Sequence, residues 1–271
     1  METLKSYNPA TEEILGEVEI TPAEEVPNIV ARAKAAQLAW GDLGLEGRAE
    51  LIRATADIFV DRVQEHGELM TKEMGKPLKE AIGEAKSLGW GIEEELAEIT
   101  EALKPEVVED RRLRSIVYHD PLGVVGAITP WNFPMSMPAW MILPSLAAGN
   151  TVVFKPSEET PLCGQAYADV LNEVLPNDVL IVIHGADDQG KAIVQSDVDM
   201  IAFTGSREAG KHIMREASGT LKRVVLELGG KDPMIVLGDA DITRAAKFAA
   251  SNSFRNAGQV CISTERIFVM D

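Results

Sequence analysis

The chain has 271 residues, 45% of them hydrophobic and 25% charged, a globular composition long enough to bury a sizeable core as one large or two modest domains. Its formal net charge of −17 at pH 7 removes the uniform positive field that draws proteins onto phosphate backbones, so no nucleic-acid partner is expected, although a local basic patch could still hold one cofactor. Two cysteines and four scattered histidines give no disulfide framework, CxxC pair or metal-ligand spacing, and no metal is expected.

Over residues 23–103 the periodicity predicts a helical layer. Val30, Ala33, Lys34, Gln37 and Leu38 share one side of a first helix, whose first turn accommodates Pro27. Leu51, Ile52, Thr55, Ile58, Phe59 and Val63 then recur at helical spacing. Helical segments at 77–88 and 93–103 are parted at Gly89-Trp90-Gly91, where glycine loosens the backbone. Residues 104–119 change character. Val107-Val108, the charged run Glu109-Asp110-Arg111-Arg112, and Leu113, Ser115 and Val117 predict a hairpin that is polar on one face.

From Leu122 onward, strands at 124–128, 151–154, 179–183, 200–203 and 224–228 alternate with helices at 138–148, 162–174, 189–194 and 209–217. This βαβ alternation predicts a parallel sheet, and strands that are apolar throughout predict helices over both of its faces. A strand at 234–237, a helix at 242–253 and a strand at 266–269 follow, too few elements to bury a core alone. No run reaches the roughly eighteen apolar residues of a membrane span. The start, Met1 to Pro9, lacks a signal peptide's apolar core, so a cytoplasmic location away from membranes is expected.

Ligands of α/β sheets sit at the carboxyl ends of strands, where glycine turns bring backbone N–H groups to phosphate at helix starts. Phe203-Thr204-Gly205-Ser206 is such a turn. Gly205 permits close approach and Ser206 can meet a pyrophosphate, or a hydroxyl there simply caps the helix. Lys155 and Glu158 place an ammonium and a carboxylate at another strand end, suited to ribose hydroxyls or to a plain surface ion pair. A GxGxxG fingerprint is absent; its nearest substitute, Gly185 to Gly190, carries Asp187 and Asp188 where phosphate would be repelled.

The turn Asn256-Ala257-Gly258-Gln259-Val260-Cys261 is polar and tight, leaving Cys261 reachable as a nucleophile rather than packed as a small hydrophobe. Cys163, after Pro161 at a helix start, reads as packing. Glu227, ahead of Gly229-Gly230, can act as a general base or pair with Lys231. Asn132, in Trp131-Asn132-Phe133-Pro134, can donate to an oxyanion or merely form a turn.

Taken in order, Asn8-Pro9-Ala10-Thr11, Pro130-Trp131-Asn132-Phe133-Pro134, Lys155-Pro156-Ser157-Glu158, Phe203-Thr204-Gly205-Ser206, Glu227-Leu228-Gly229-Gly230-Lys231 and Gly258-Gln259-Val260-Cys261 resemble the aldehyde dehydrogenase superfamily. The succinate-semialdehyde and general aldehyde branches match comparably, from Asn8 to Asp271. The resemblance implies an α/β, parallel-sheet NAD-binding domain with a helical layer at 1–103 and 120–230. It implies an oligomerisation hairpin at 104–119 and the incomplete start of a catalytic domain, carrying the cysteine, at 231–271. The implied reaction is NAD-dependent oxidation of a small aldehyde to a carboxylic acid. Cys261 attacks to form a thiohemiacetal, hydride passes to the nicotinamide, and Glu227 activates water to hydrolyse the thioester.

By the same resemblance, Asn132 and the Cys261 backbone N–H form the oxyanion hole. Lys155 and Glu158 hold the adenosine ribose, Gly205 and Ser206 lie near the pyrophosphate, and Trp131 sits beside the cofactor. Charge appears on oxygen only after thiolate attack, and the base acts only after hydride has left, so each role belongs to its own step. Glu158 opposes a 2′-phosphate by like charge, so NAD is expected over NADP. Glu227 argues against a coenzyme-A-acylating member. The resemblance further implies homo-oligomeric chains nearly twice this length, with pocket walls, a nicotinamide-ribose segment and a closing hairpin strand beyond Asp271. Two other readings compete: a truncated, non-catalytic dinucleotide-binding or interaction module, and ester hydrolysis by Cys261 and Glu227 without redox.

Overall fold

The computed structural model describes residues 2–270. It opens with an antiparallel pair that hydrophobic periodicity does not announce, β1 (Thr3–Tyr7) and β2 (Ile14–Glu19). These strands are rich in charge and bury only Ser6, whose hydroxyl donates to Glu73 at 2.6 Å. With so little apolar alternation, they leave no strand signal.

The helical layer comprises α1 (Val26–Asp42), α2 (Gly44–Arg53), α3 (Thr55–Asp61), α4 (Val63–Met74), α5 (Leu78–Trp90) and α6 (Ile92–Ala102). Pro27 lies in the first turn of α1, where a missing N–H costs nothing. Val30 and Ala33 are buried as spaced, but Leu38 is 72% exposed and Trp40 turns inward instead. An indole can be buried because its N–H finds a partner: Nε1 of Trp40 donates to the Leu146 carbonyl at 3.0 Å. The expected break at residues 89–91 narrows to Gly91, between α5 and α6. Gly89 stays inside α5 because a Cβ there would stand 2.7 Å from Val60, so it serves close packing on α3 rather than ending a helix.

The hairpin forms from β3 (Glu106–Glu109) and β4 (Arg114–Val117). Its turn is tied by Asp110 Oδ1, which accepts the N–H groups of Arg112 and Leu113 at 2.6 and 2.8 Å. Every residue of both strands is exposed, so the expected separation into a polar and a covered face does not occur within this chain.

Five parallel strands follow: β5 (Val124–Ile128), β6 (Thr151–Lys155), β7 (Leu180–Val182), β8 (Met200–Gly205) and β9 (Arg223–Leu228), in the spatial order β7-β6-β5-β8-β9. Their crossovers are α7 (Ser136–Ala147), α8 (Pro161–Asn172), α9 (Asp187–Gln195) and α10 (Arg207–Ser218). Successive strand residues point to opposite faces. Val125, Ala127, Val152 and Phe154 accordingly join Trp40, Ile52, Phe59 and Tyr167 in one core, while Val124, Ile128 and Val153 join Val30, Ile193 and Ile213 in the other.

Coverage of both faces fails at the edge strand. β9 alternates: Val224, Leu226 and Leu228 are half-buried, whereas Arg223, Val225 and Glu227 are exposed. Only one face of this strand meets a helix. Gly210 of α10 makes that approach possible, since a Cβ there would stand 2.7 Å from Leu228.

The last unit is a parallel pair, β10 (Asp232–Val236) and β11 (Thr264–Val269), joined by α11 (Ile242–Phe254). No residue of α11 is buried, and Phe248, Phe254, Ile267 and Phe268 are exposed. Among the described residues, no helix is long and apolar enough to cross a membrane.

Candidate active site

The sheet runs outward from β5 through β6 to β7, then resumes on the other side of β5 with β8. Adjacent loops therefore diverge at the carboxyl ends and leave a crevice at this switch point. A cleft of about 460 Å³ occupies the position, lined by Thr129, Pro130 and Trp131 after β5, by Lys155 and Glu158 after β6, and by Thr204, Gly205 and Ser206 after β8. The sequence-derived nucleotide residues thus share one cavity.

Lys155 Nζ lies 3.2 Å from Glu158 Oε2 and donates to the Pro156 carbonyl at 3.1 Å, so the buried ammonium is compensated on the spot. Ser206 caps α10, its hydroxyl accepting the Ala209 N–H at 3.2 Å, and the positive end of that helix faces the cleft. At Gly205 a Cβ would stand 2.5 Å from the Phe203 ring, which restricts the turn to glycine. Buried Thr129 Oγ1, Thr204 Oγ1 and His212 Nε2 find no partner in the protein, and all three residues line this cleft. Unpaired polar atoms at one cavity fit a polar ligand that completes their hydrogen bonds. Near Lys155, burial and then the lysine's charge hold His184 down to about 4, so its ring stays neutral, Nε2 lying 2.7 Å from Gln165 Oε1.

A second cleft of about 900 Å³ contains Cys261, which is exposed, together with Lys76, Glu80, Glu84, Phe133, Arg255 and Asn256. Asn132 is in the lining of neither cleft, but it precedes the lining residue Phe133 and its side-chain N–H donates to the Gln259 carbonyl at 3.0 Å. Trp131 and Gln259 line a further cavity of about 450 Å³ with Glu158, which joins the cysteine loop to the first cleft. Lys76 and Glu84 form a buried ion pair. Desolvation pulls the lysine below its ordinary range, and the Glu84 charge opposes that shift. Glu84 Oε1 also accepts the N–H groups of Met135 and Ser136 at 3.2 and 3.0 Å, anchoring the loop after Asn132 at the start of α7.

Glu227 is exposed, in register with Thr204, and lines neither cleft. Its motif nevertheless reaches the cysteine loop, because a Cβ on Gly230 would stand 3.0 Å from the Cys261 carbonyl oxygen. Lys231 pairs with Glu265. Cys163 is fully buried, and that burial pushes its thiol well above the ordinary range, consistent with packing. Among the described residues, no group of three or more His, Cys, Asp or Glu gathers to hold a metal ion. Sequence reasoning did not single out Thr129, His212, Glu84 or the linking role of Asn256. Only Asn256 carried a signal, as an asparagine in a turn before glycine.

The model of the aldehyde dehydrogenase family matches residues 1–271. Mitochondrial succinate-semialdehyde dehydrogenase of Arabidopsis thaliana is 42% identical, over 99% of this chain and 52% of its own length. A probable NADP-dependent succinate-semialdehyde dehydrogenase of Sinorhizobium fredii is 41% identical, over 97% of this chain and 55% of its own. Among solved structures, an NADP-dependent glyceraldehyde-3-phosphate dehydrogenase of Bacillus halodurans, complexed with NADP, superposes with a TM-score of 0.92 at 36% identity, covering 100% of this chain and 58% of that one. The chain spans about half the length of the curated relatives it matches. It belongs to the aldehyde dehydrogenase family.

Proposed function

We propose that this chain supplies the dinucleotide-binding part and the nucleophile of an NAD-dependent aldehyde dehydrogenase that oxidises a small aldehyde to a carboxylic acid. The observation that carries the reading is the bond from Asn132 Nδ2 to the carbonyl of Gln259, two residues before the exposed Cys261, with Gln259 and Glu158 lining one cavity beside the cleft of Lys155, Glu158 and Ser206. Cys261 Sγ attacks the carbonyl carbon and forms a thiohemiacetal. Asn132 and the Cys261 N–H receive the charge that develops on the substrate oxygen. A bound nicotinamide dinucleotide supplies the acceptor for the hydride lost in oxidation.

Lys155 and Glu158 hold the adenosine ribose, Gly205 and Ser206 approach the pyrophosphate at the start of α10, and Trp131 flanks the cofactor. Glu227 then takes a proton from the water that hydrolyses the Cys261 thioester, releasing carboxylate and free thiol. Glu158 favours two free ribose hydroxyls over a 2′-phosphate, while the adjacent Lys155 keeps NADP within reach as the weaker ligand.

Residues 1–103 and 120–230 serve as the NAD-binding domain, 231–271 as part of a catalytic domain, and the exposed hairpin at 104–119 as an oligomerisation element. Both thiols are free, in keeping with a reducing cytoplasmic setting. The succinate-semialdehyde relatives and the exposed Arg255, which lines the same cleft as Cys261, support a substrate with a second carboxylate.

Two measurements test the proposal. Calorimetric titration with NAD and NADP is expected to show binding, tighter for NAD, and p-nitrophenyl acetate is expected to acylate the parent but not Cys261→Ala. The competing reading, a non-catalytic dinucleotide-binding module, draws on the distance of Glu227 from both clefts. It prevails if NAD binds while Cys261 is never acylated.

A further inference from the structure

The longest run of left-handed backbone among the described residues lies just before Cys261. Asn256, Ala257 and Gly258 are consecutive left-handed residues, with φ of 54°, 56° and 76°. A left-handed conformation costs a non-glycine residue about 1–2 kcal/mol, so two in succession persist only where neighbours hold them. The neighbours are specific. The Asn256 backbone N–H donates to Glu80 Oε2 at 2.7 Å, tying the turn to α5. Its side-chain Nδ2 donates to two main-chain carbonyls, Asn132 at 2.8 Å and Gln259 at 3.2 Å.

The amide orientation follows from this network, since the flipped form would set Oδ1 against two carbonyl oxygens. Asn256 is 1% exposed, so water does not substitute for these bonds. Asn132 closes the ring by donating Nδ2 to the same Gln259 carbonyl at 3.0 Å. The second N–H of Asn132 then has a fixed direction. Meanwhile Glu84, one turn further along α5, accepts the Met135 and Ser136 N–H groups and holds the other end of the Asn132 loop.

We propose that Asn256 is a positioning residue: it locks the loop bearing Asn132 to the loop bearing Cys261, with Glu80 of α5 holding it in its left-handed conformation. The inference rests on the proposed roles of Asn132 and Cys261. Its specific content is that the register between oxyanion donor and thiol is set from the helical layer, by a residue that touches neither substrate nor cofactor. Small displacements of such a donor are costly, about 100-fold in rate for an ångström.

The test compares two reactions of the same thiol in this chain. Acylation by p-nitrophenyl acetate develops an oxyanion and uses Asn132; alkylation by iodoacetamide develops none. Buried Cys163 does not compete. Asn256→Gly keeps the left-handed backbone at no strain and removes only the side-chain bridge. It is expected to slow acylation about 10- to 100-fold while alkylation and NAD affinity stay within about 3-fold. Glu80→Ala is expected to do the same more weakly and to speed amide hydrogen exchange over residues 255–262, with Glu80→Gln, which retains an acceptor, restoring both.

Equal loss of acylation and alkylation in Asn256→Gly, or no loss of either, would overturn the proposal and leave the proposed function standing. A parent that is alkylated but never acylated would instead remove the oxyanion-hole reading and this inference with it.

Discussion

Two strand–helix–strand units of the same connectivity behave oppositely in this molecule. β5, α7 and β6 are almost wholly buried, with every residue of both strands inside. β10, α11 and β11 form the same kind of parallel unit, yet α11 buries nothing and most of β11 is exposed. The helix of the first unit carries no charged residue whereas α11 holds Arg244 and Lys247, so composition and position among other elements together decide which becomes core. The first lies at the centre of five strands between two helical layers, whereas the second meets the rest of the chain mainly through the Asn132, Gln259 and Asn256 contacts and Glu80.

The largest test of this contrast uses one residue type in both units. Phe154→Ala in β6 removes a fully buried ring and is expected to cost about 3–5 kcal/mol in denaturant unfolding. Phe268→Ala in β11, where the ring is 54% exposed, is expected to cost about 1 kcal/mol or less. Equal losses would mean that the end unit is as well buried as the sheet. Ion pairs should divide the same way. Lys76→Met strands the Glu84 carboxylate indoors and is expected to cost about 3–5 kcal/mol, while Lys231→Met, breaking the exposed pair with Glu265, leaves the unfolding midpoint unmoved.

Acid should act through the buried half, since residues 231–271 contain no histidine. Burial, followed by the Lys155 charge, holds His184 down to about 4, so the unfolded chain takes up that proton first. Its stabilising contribution is full above about pH 6.5 and is lost as pH falls toward 4, by up to about 3 kcal/mol. Glu95, raised to about 7 by burial and then Glu98, works in the other sense, its contribution being present below about 4.5 and lost as pH rises through 7. Unfolding midpoints of parent and His184→Gln across this range isolate the histidine: the parent should lose more on acidification.

The smallest effect concerns helix caps. Ser206→Ala unseats the start of α10 and is expected to cost about 1 kcal/mol of global stability. Asp241, whose Oδ1 accepts the Arg244 N–H at 3.0 Å, caps the uncovered α11. Asp241→Ala is expected to raise amide exchange within that helix while leaving the global midpoint nearly still.

The central sheet was legible because parallel strands covered on both faces are apolar throughout, a pattern that β5, β6 and β8 follow closely. β1 and β2 escaped because charged, half-exposed strands have no such pattern. Leu38 was placed with Val30 and Ala33 and Trp40 was passed over, because helical spacing names a face but cannot tell which of two large residues has a carbonyl waiting for it. The residues proposed to hold a nucleotide were chosen from turn chemistry at strand ends, where glycine and cap requirements are local. Thr129 and His212 could not be, since an unpaired polar atom exists only once a cavity has formed around it.

By itself the sequence determined the local rules: which runs become strands, where Gly205 and Ser206 turn β8 into α10, and that Cys261 follows a polar turn rather than a packed segment. These depend on backbone preference and on neighbours a few residues away. Only the tertiary structure decided which apolar units are covered, that Glu227 stands apart from both clefts, and that Asn256 joins residues 132 and 259. Such facts depend on contacts between segments far apart in the chain, where burial and hydrogen-bond geometry set the outcome.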